Sequence, residues 1–217
     1  MQNKKSKVLV IALIVGLVAI LSVGSLAWFT AKDEVTNTLK LADDFEIDVY
    51  ETDENSAAIV DETGKTVGKT YENIMPGQTI HKDPTVKNTG THPEWVRVNV
   101  TLSNYDIWSH VVESGADLST IFTGFESGKW TRYDAPTVDD TAKTVTYTFY
   151  LNSKLEADAT QALFTGVKIP ESLTLDQAKT IGTDGFTIKV EAEAIQAENL
   201  DSAITTPQAA FALLENN

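Results

Sequence analysis

From Trp95 to Leu102, the apolar residues Val96, Val98, Val100 and Leu102 alternate with Arg97, Asn99 and Thr101. In an extended chain successive side chains point to opposite faces, so a two-residue period gathers the apolar set on one side of a strand and the polar set on the other. The period returns from Thr144 to Leu151, where Val145, Tyr147, Phe149 and Leu151 alternate with Thr144, Thr146, Thr148 and Tyr150. It returns again from Phe186 to Ala194, with Phe186, Ile188 and Val190 set against Lys189, Glu191 and Glu193. A helix cannot bury a face of that period, so the chain is expected to build half-buried antiparallel sheets.

The segments between these strands read as short strands and turns. Phe45, Ile47 and Val49 alternate with Glu46 and Asp48, and the polar stretch Glu51 to Lys69, with Gly64 and Gly68, reads as a hairpin or loop excursion. Met75-Pro76-Gly77-Gln78 has proline to fix φ and glycine to accept a positive φ, and a short strand is expected at Thr85 to Lys87 before a turn at Asn88-Thr89-Gly90. Alternation is lost between Asn104 and Gly128, where Ile107, Val111, Val112, Leu118, Ile121 and Phe122 fit a helical insertion. Further strands are expected at Lys129 to Tyr133 and Leu163 to Ile169, with Asp134 to Lys143 as a polar turn. Thr174 and Gln177 have capping-box spacing for a short helix. Thr206 and Pro207 begin a C-terminal helix with Phe211 and Leu214 on its apolar side. The fold class expected is mainly β, an antiparallel β-sandwich with short helical insertions.

The N-terminus reads as an export leader. Lys4, Lys5 and Lys7 precede an uncharged apolar run from Val8 to Leu21, and small residues at Ser25 and Ala27 have the spacing that a signal peptidase reads. Cleavage between Ala27 and Trp28 is therefore expected; the competing reading is an uncleaved anchor, because the uncharged run continues through Phe29. Both place the remainder outside the membrane. The expected organisation is a signal peptide at 1–27, an arm at 28–41 and a sandwich at 42–217 with its insertion near 104–128. Within the arm, Phe29, Ala31, Asp33, Val35, Asn37, Leu39 and Leu41 fall on one face of a strand, against Thr30, Lys32, Glu34, Thr36, Thr38 and Lys40 on the other. Such a strand can pair with its own sheet or with the open edge of a neighbouring molecule, and the second arrangement grows a filament.

Charge and composition exclude several classes of function. The net charge is −14, and removal of the leader's three lysines takes it to −17. Nucleic acid and anionic membrane surfaces need the clustered cations this chain lacks, so the membrane is expected to matter only through the leader before cleavage. With no cysteine among 217 residues, disulfides, thiolate metal sites and cysteine nucleophiles are ruled out. The three histidines, His81, His92 and His110, lack the one-turn spacing of a zinc-binding helical pair. Asp43-Asp44 and Asp139-Asp140 lack the spaced ligands of a calcium hand. No catalytic, cofactor-binding or metal-binding residue is assigned, and no cofactor is expected. Trp95, Trp108 and Trp130 read either as a sugar-stacking face or as packing residues.

Several stretches together resemble the TasA and camelysin-like family of exported Gram-positive proteins, whose leader is cut by a dedicated signal peptidase. They are Leu26-Ala27-Trp28-Phe29-Thr30, Met75-Pro76-Gly77-Gln78-Thr79, Val86-Lys87-Asn88-Thr89-Gly90, Val96-Arg97-Val98 and Ala192-Glu193-Ala194-Ile195-Gln196-Ala197-Glu198. The resemblance implies a jelly-roll or immunoglobulin-like sandwich that assembles into extracellular fibres of a biofilm matrix. Its partners would be the signal peptidase during export, then other copies of itself or related matrix proteins. The metalloprotease label carried by some members finds no zinc-binding pair in this sequence. A monomeric cell-surface adhesin or carbohydrate-binding module is the alternative, and a secreted metallopeptidase ranks last.

Overall fold

Ten residues, Glu94–Ser103, form the longest strand, β4, and nearly every other side chain on it is fully buried. The computed structural model describes residues 45–105, 118–132, 135–181, 185–200 and 202–215. The leader, the arm with Phe29 to Leu41, and Ile107, Trp108, His110, Val111 and Val112 lie outside the described residues.

Strands precede and follow β4 in short steps: β1 (Ile47–Tyr50), β2 (Thr79–His81) and β3 (Thr85–Asn88) before it. After it come β5 (Phe122–Thr123), β6 (Trp130–Arg132), β7 (Thr137–Asp139), β8 (Thr144–Leu151), β9 (Thr160–Ala162), β10 (Gly166–Lys168) and β11 (Ile188–Gln196). Two helices are described, α1 (Leu175–Ile181) and α2 (Pro207–Glu215). All described pairings are antiparallel. The protein is thus mainly β, with a five-stranded sheet ordered β11-β4-β8-β6, β7 also pairing with β8, and two three-stranded sheets, β1-β3-β9 and β2-β10-β5.

The alternation in the sequence is read out directly in the large sheet. Val98 opposes Phe149, Val100 opposes Tyr147, and Leu102 opposes Val145 across the β4–β8 ladder. Their common face joins Ile80, Val86, Phe122, Trp130, Phe164 and Val167, so one hydrophobic core draws on all three sheets. Phe122 and Phe164 stack within it with ring centroids 4.4 Å apart. The opposite face of β4 and β8 carries the polar set, with Thr101 bonded to Thr146 and Thr148 to Asn99, each at 2.8 Å.

Local signals place the connections. Gln78 N donates to Met75 O at 3.1 Å across Pro76 and Gly77, and Gly77 takes φ +83°, closing the turn the sequence predicts. Thr174 Oγ1 and the Gln177 side chain cap α1 reciprocally, Gln177 N donating to Thr174 Oγ1 at 3.3 Å and Thr174 N to Gln177 Oε1 at 2.8 Å. Thr206 caps α2, accepting from Ala209 N at 3.3 Å.

Several boundaries differ from expectation for identifiable reasons. The strand expected at Leu163 to Ile169 is shorter, β10 alone: β10 pairs with β2 and β5, whereas β9, which ends at Ala162, pairs with β3 in another sheet, and the chain changes sheets at Leu163–Thr165. Gly166 permits the change, because a Cβ there would sit 2.7 Å from Thr123 Oγ1 and 3.0 Å from the Ile80 carbonyl. The polar turn expected at Asp134 to Lys143 contains β7, since the backbone of Thr137–Asp139 pairs with β8. Of the helical insertion expected near 104–128, residues 106–117 lie outside the described residues; its described end holds a 3-10 turn, Leu118–Ile121, followed directly by β5. Phe45 precedes β1 and is exposed. On α2 the buried residues are Pro207, Ala210 and Phe211, while Leu214 is exposed.

Candidate functional site

β1 and β11 are terminal strands of different sheets, β1 bonded to β3 and β11 to β4. They lie close together without a ladder between them. A groove of about 410 Å³ separates them, walled by Val49 to Glu51 on one side and Thr187 to Val190 on the other. Thr66 to Lys69 form its lip, and Lys82 also lines it. An edge strand presents backbone N–H and C=O groups with no partner in its own sheet, so a groove between two such edges is chemically suited to an extended peptide.

The lip is made by the stretch that the sequence marks as an excursion. Glu51 to Lys69 folds as two successive narrow hairpins, with bridges Thr52↔Ala58 and Val60↔Thr66. Asp53 closes the first tip by accepting from Asn55 N and Ala57 N, and Asp61 closes the second by accepting from Thr63 and Lys65. Those donors hold both carboxyls below the usual carboxylate range, the Ala57 amide chiefly for Asp53 and the Thr63 hydroxyl chiefly for Asp61. Asp side chains that bond their own following amides are turn formers, so this sequence folds back on itself and delivers Val67 to the groove.

Polar chemistry is concentrated beside β1. Lys82 Nζ donates to Glu51 Oε1 in a buried ion pair, leaving Glu51 Oε2 buried without a hydrogen-bond partner. Asp83 accepts from Thr52 N at 2.8 Å and from Thr52 Oγ1 at 2.5 Å. Tyr71 donates its hydroxyl to the His81 carbonyl, and burial, with the nearby charges of Glu51 and Asp83, pushes its pKa up to about 12. Tyr71 therefore stays a neutral donor at any physiological pH. Inward residues of the walls are only half buried: Val49, Ile188 and Val190 pack on the core while bordering the opening.

Comparison with family models, curated proteins and solved structures finds no match. The function of the groove has to be read from its own chemistry.

Of the residues singled out by sequence, Ser25, Ala27, Trp28, Phe29, Ala31, Val35, Leu39 and Leu41 lie outside the described residues. His81 and His92 have separate partners: His81 lies 3.5 Å from Asp83, and His92 lies 3.6 Å from Glu198. Among the described residues no three His, Asp or Glu side chains cluster as metal ligands, and no helix is long and apolar enough to cross a membrane. Asp139 accepts from Thr141 N and Ala142 N, and Asp140 from the Tyr105 hydroxyl at 2.5 Å, so this carboxylate pair closes a turn. Trp95 and Trp130 are 5% and 1% exposed, too enclosed to stack on a sugar.

Sequence reading missed Glu51, Lys82 and Glu94. Glu94 is fully buried with both carboxylate oxygens unpartnered, and desolvation pushes its pKa up to about 7. It begins β4 opposite Gln196 and bridges Leu155. A signal was available, since Glu94 has the parity of Val96 to Leu102 and so extends the dry face by one step.

Proposed function

We propose that this protein is a secreted structural component of an extracellular matrix that assembles into fibres by donating its N-terminal strand. In this proposal the leader is removed after Ala27, and the arm from Trp28 to Leu41 enters the groove between β1 and β11 of the next copy. The observation that carries it is the pair of unjoined sheet edges bordering one groove. The arm's alternation supplies what such a groove lacks, a strand with an apolar face carrying Phe29, Val35, Leu39 and Leu41. A strand added to either open edge would extend that sheet and lie over the half-buried Val49, Ile188 and Val190. Contact of this kind is head-to-tail and does not close, so it propagates. The finer fold we assign is an antiparallel sandwich of jelly-roll or immunoglobulin-like type, supported by one core shared among three sheets. The role we assign is structural, not enzymatic, in keeping with the resemblance of the sequence to the TasA and camelysin-like family.

Electron microscopy of the mature chain at rising concentration tests this. Filaments are expected, and they should vanish when residues 28–40 are deleted. Monodisperse particles at every concentration, or filaments that survive the deletion, would overturn strand donation.

A further inference from the structure

Glu94 sits where separate parts of the chain close on one another. As the first residue of β4 it stands opposite Gln196, the last of β11. It also exchanges two backbone hydrogen bonds with the loop after β8, Glu94 N donating to Leu155 O at 3.0 Å and Leu155 N to Glu94 O at 2.8 Å. Beside it, Ala197 N donates to Pro93 O at 3.0 Å. Asn88, fully buried, pins the same seam from the turn before β4: its Nδ2 donates to Leu155 O at 2.9 Å and to His92 O at 2.7 Å, and its Oδ1 accepts from Gly90 N at 2.9 Å. That turn holds the first of the described residues, since Glu46 O accepts from Thr89 N at 2.8 Å and from Gly90 N at 3.1 Å, and the Phe45 and His92 ring centroids lie 5.6 Å apart.

Within this seam Glu94 is fully buried, and neither of its carboxylate oxygens has a hydrogen-bond partner. A protonated carboxyl is tolerated in such a place, whereas an unpaired carboxylate is far costlier, so ionisation requires that the group reach water. Charged side chains border the seam without neutralising it. His92 meets Glu198 at 3.6 Å, and Lys154 lies over the Trp95 ring at 5.8 Å from its centroid. Glu46, Lys87, Glu156 and Asp158 flank the segments that form the seam. None of these is bonded to Glu94, and burial is the one cause of its raised pKa. We propose that Glu94 is a proton-operated latch: protonated, it lets the start of β4, the Leu155 loop and the Asn88 turn close together, and on ionising it parts them so that its carboxylate meets water. The closed seam binds the proton more tightly than the open one, so closure is favoured at low pH and is lost as pH rises. Opening needs only the few bonds at the seam, and the β4–β8 ladder from Arg97 onward is left intact. It loosens the hold on Phe45 and Glu46, through which the N-terminal part of the chain enters the described strands. The latch therefore couples ambient pH to how firmly that entry is held, whatever the N-terminal part goes on to do.

Hydrogen exchange of the full mature chain tests the latch, read amide by amide from pH 5 to 8 as protection relative to an unstructured peptide at the same pH. Protection of the Glu94, Leu155, Thr89 and Ala197 amides is expected to lie below that of the β4–β8 ladder at every pH. It should fall by about tenfold per pH unit between pH 5 and 7, the slope for release of one proton, and level off above 7. Glu94→Gln, close in volume and never ionised, should abolish the slope and keep these amides near the protection that wild type shows at pH 5. Glu94→Met, likewise uncharged, should do the same. Histidine side chains titrate in the same window, so His92→Gln is the control, and the slope should survive it. A slope that persists in the uncharged Glu94 variants, or that disappears in His92→Gln, overturns the latch. Seam protection equal to that of the ladder at every pH would overturn it too, because Glu94 would then reach water only when the whole chain unfolds.

Discussion

Glu94 ties stability to pH. Its ordinary pKa of 4.5 rises to about 7 in the fold because burial penalises the carboxylate. The folded chain therefore holds a proton that the unfolded chain releases between those values. Stability from this group is fully present below about pH 4.5 and is lost as pH climbs through 7. Thermal melts of wild type should show this decline between pH 5 and 8, and Glu94→Gln should flatten it and melt higher at pH 8. An unchanged slope in the variant would place the pH response elsewhere. Lys82 and Glu51 make the complementary case. Lys82→Ala would strand a buried carboxylate and cost about 3–5 kcal/mol in chemical denaturation. The double change Lys82→Met with Glu51→Gln should recover most of that loss, because it removes both charges. The two hairpin aspartates were more legible, since Asp53 and Asp61 each precede Asn, Thr or Gly in turn-like runs.

At the scale of the element, α2 shows how far periodicity carries. Its start was legible from Thr206 and Pro207 and its burial from Phe211, but not the exposure of Leu214. Phe211 and Ala210 pack against Trp95 and Tyr150 on the outer face of the large sheet, and the Arg97 guanidinium lies 4.6 Å from the Phe211 ring centroid while bonded to Glu193 at 2.7 Å. Sequence alternation assigns Trp95 and Tyr150 to the polar face of their strands, and only the helix docking there makes them buried. Phe211→Ala should cost about 3–5 kcal/mol and shift tryptophan emission to the red as Trp95 becomes hydrated. Leu214→Ser should stay within about 0.5 kcal/mol of wild type, because Leu214 is already exposed. Equal losses for the two variants would contradict the packing described for α2. The long strands were legible for the opposite reason: β4 and β8 pair with each other, so each one's dry face is the other's neighbour on the same side of the sheet.

For the molecule as a whole, the sequence by itself determined that the chain is mainly β. It also determined which face of each long strand is dry, where the Pro76-Gly77 turn falls and how both helices begin. These are local consequences of side-chain alternation, fixed φ angles and capping hydrogen bonds, which depend on a few consecutive residues. Tertiary structure alone decided that the strands divide among three sheets, that the chain crosses between two of them at Leu163–Thr165, and that α2 covers Trp95 and Tyr150. It alone brought Glu51 beside Lys82, thirty-one positions away, and left β1 and β11 as unjoined neighbours. A strand's period records its two faces but not its two edges, since every residue offers the same backbone N–H and C=O. Which edges are paired and which stay open is set by strand order, and strand order follows from how separate dry faces close over one core.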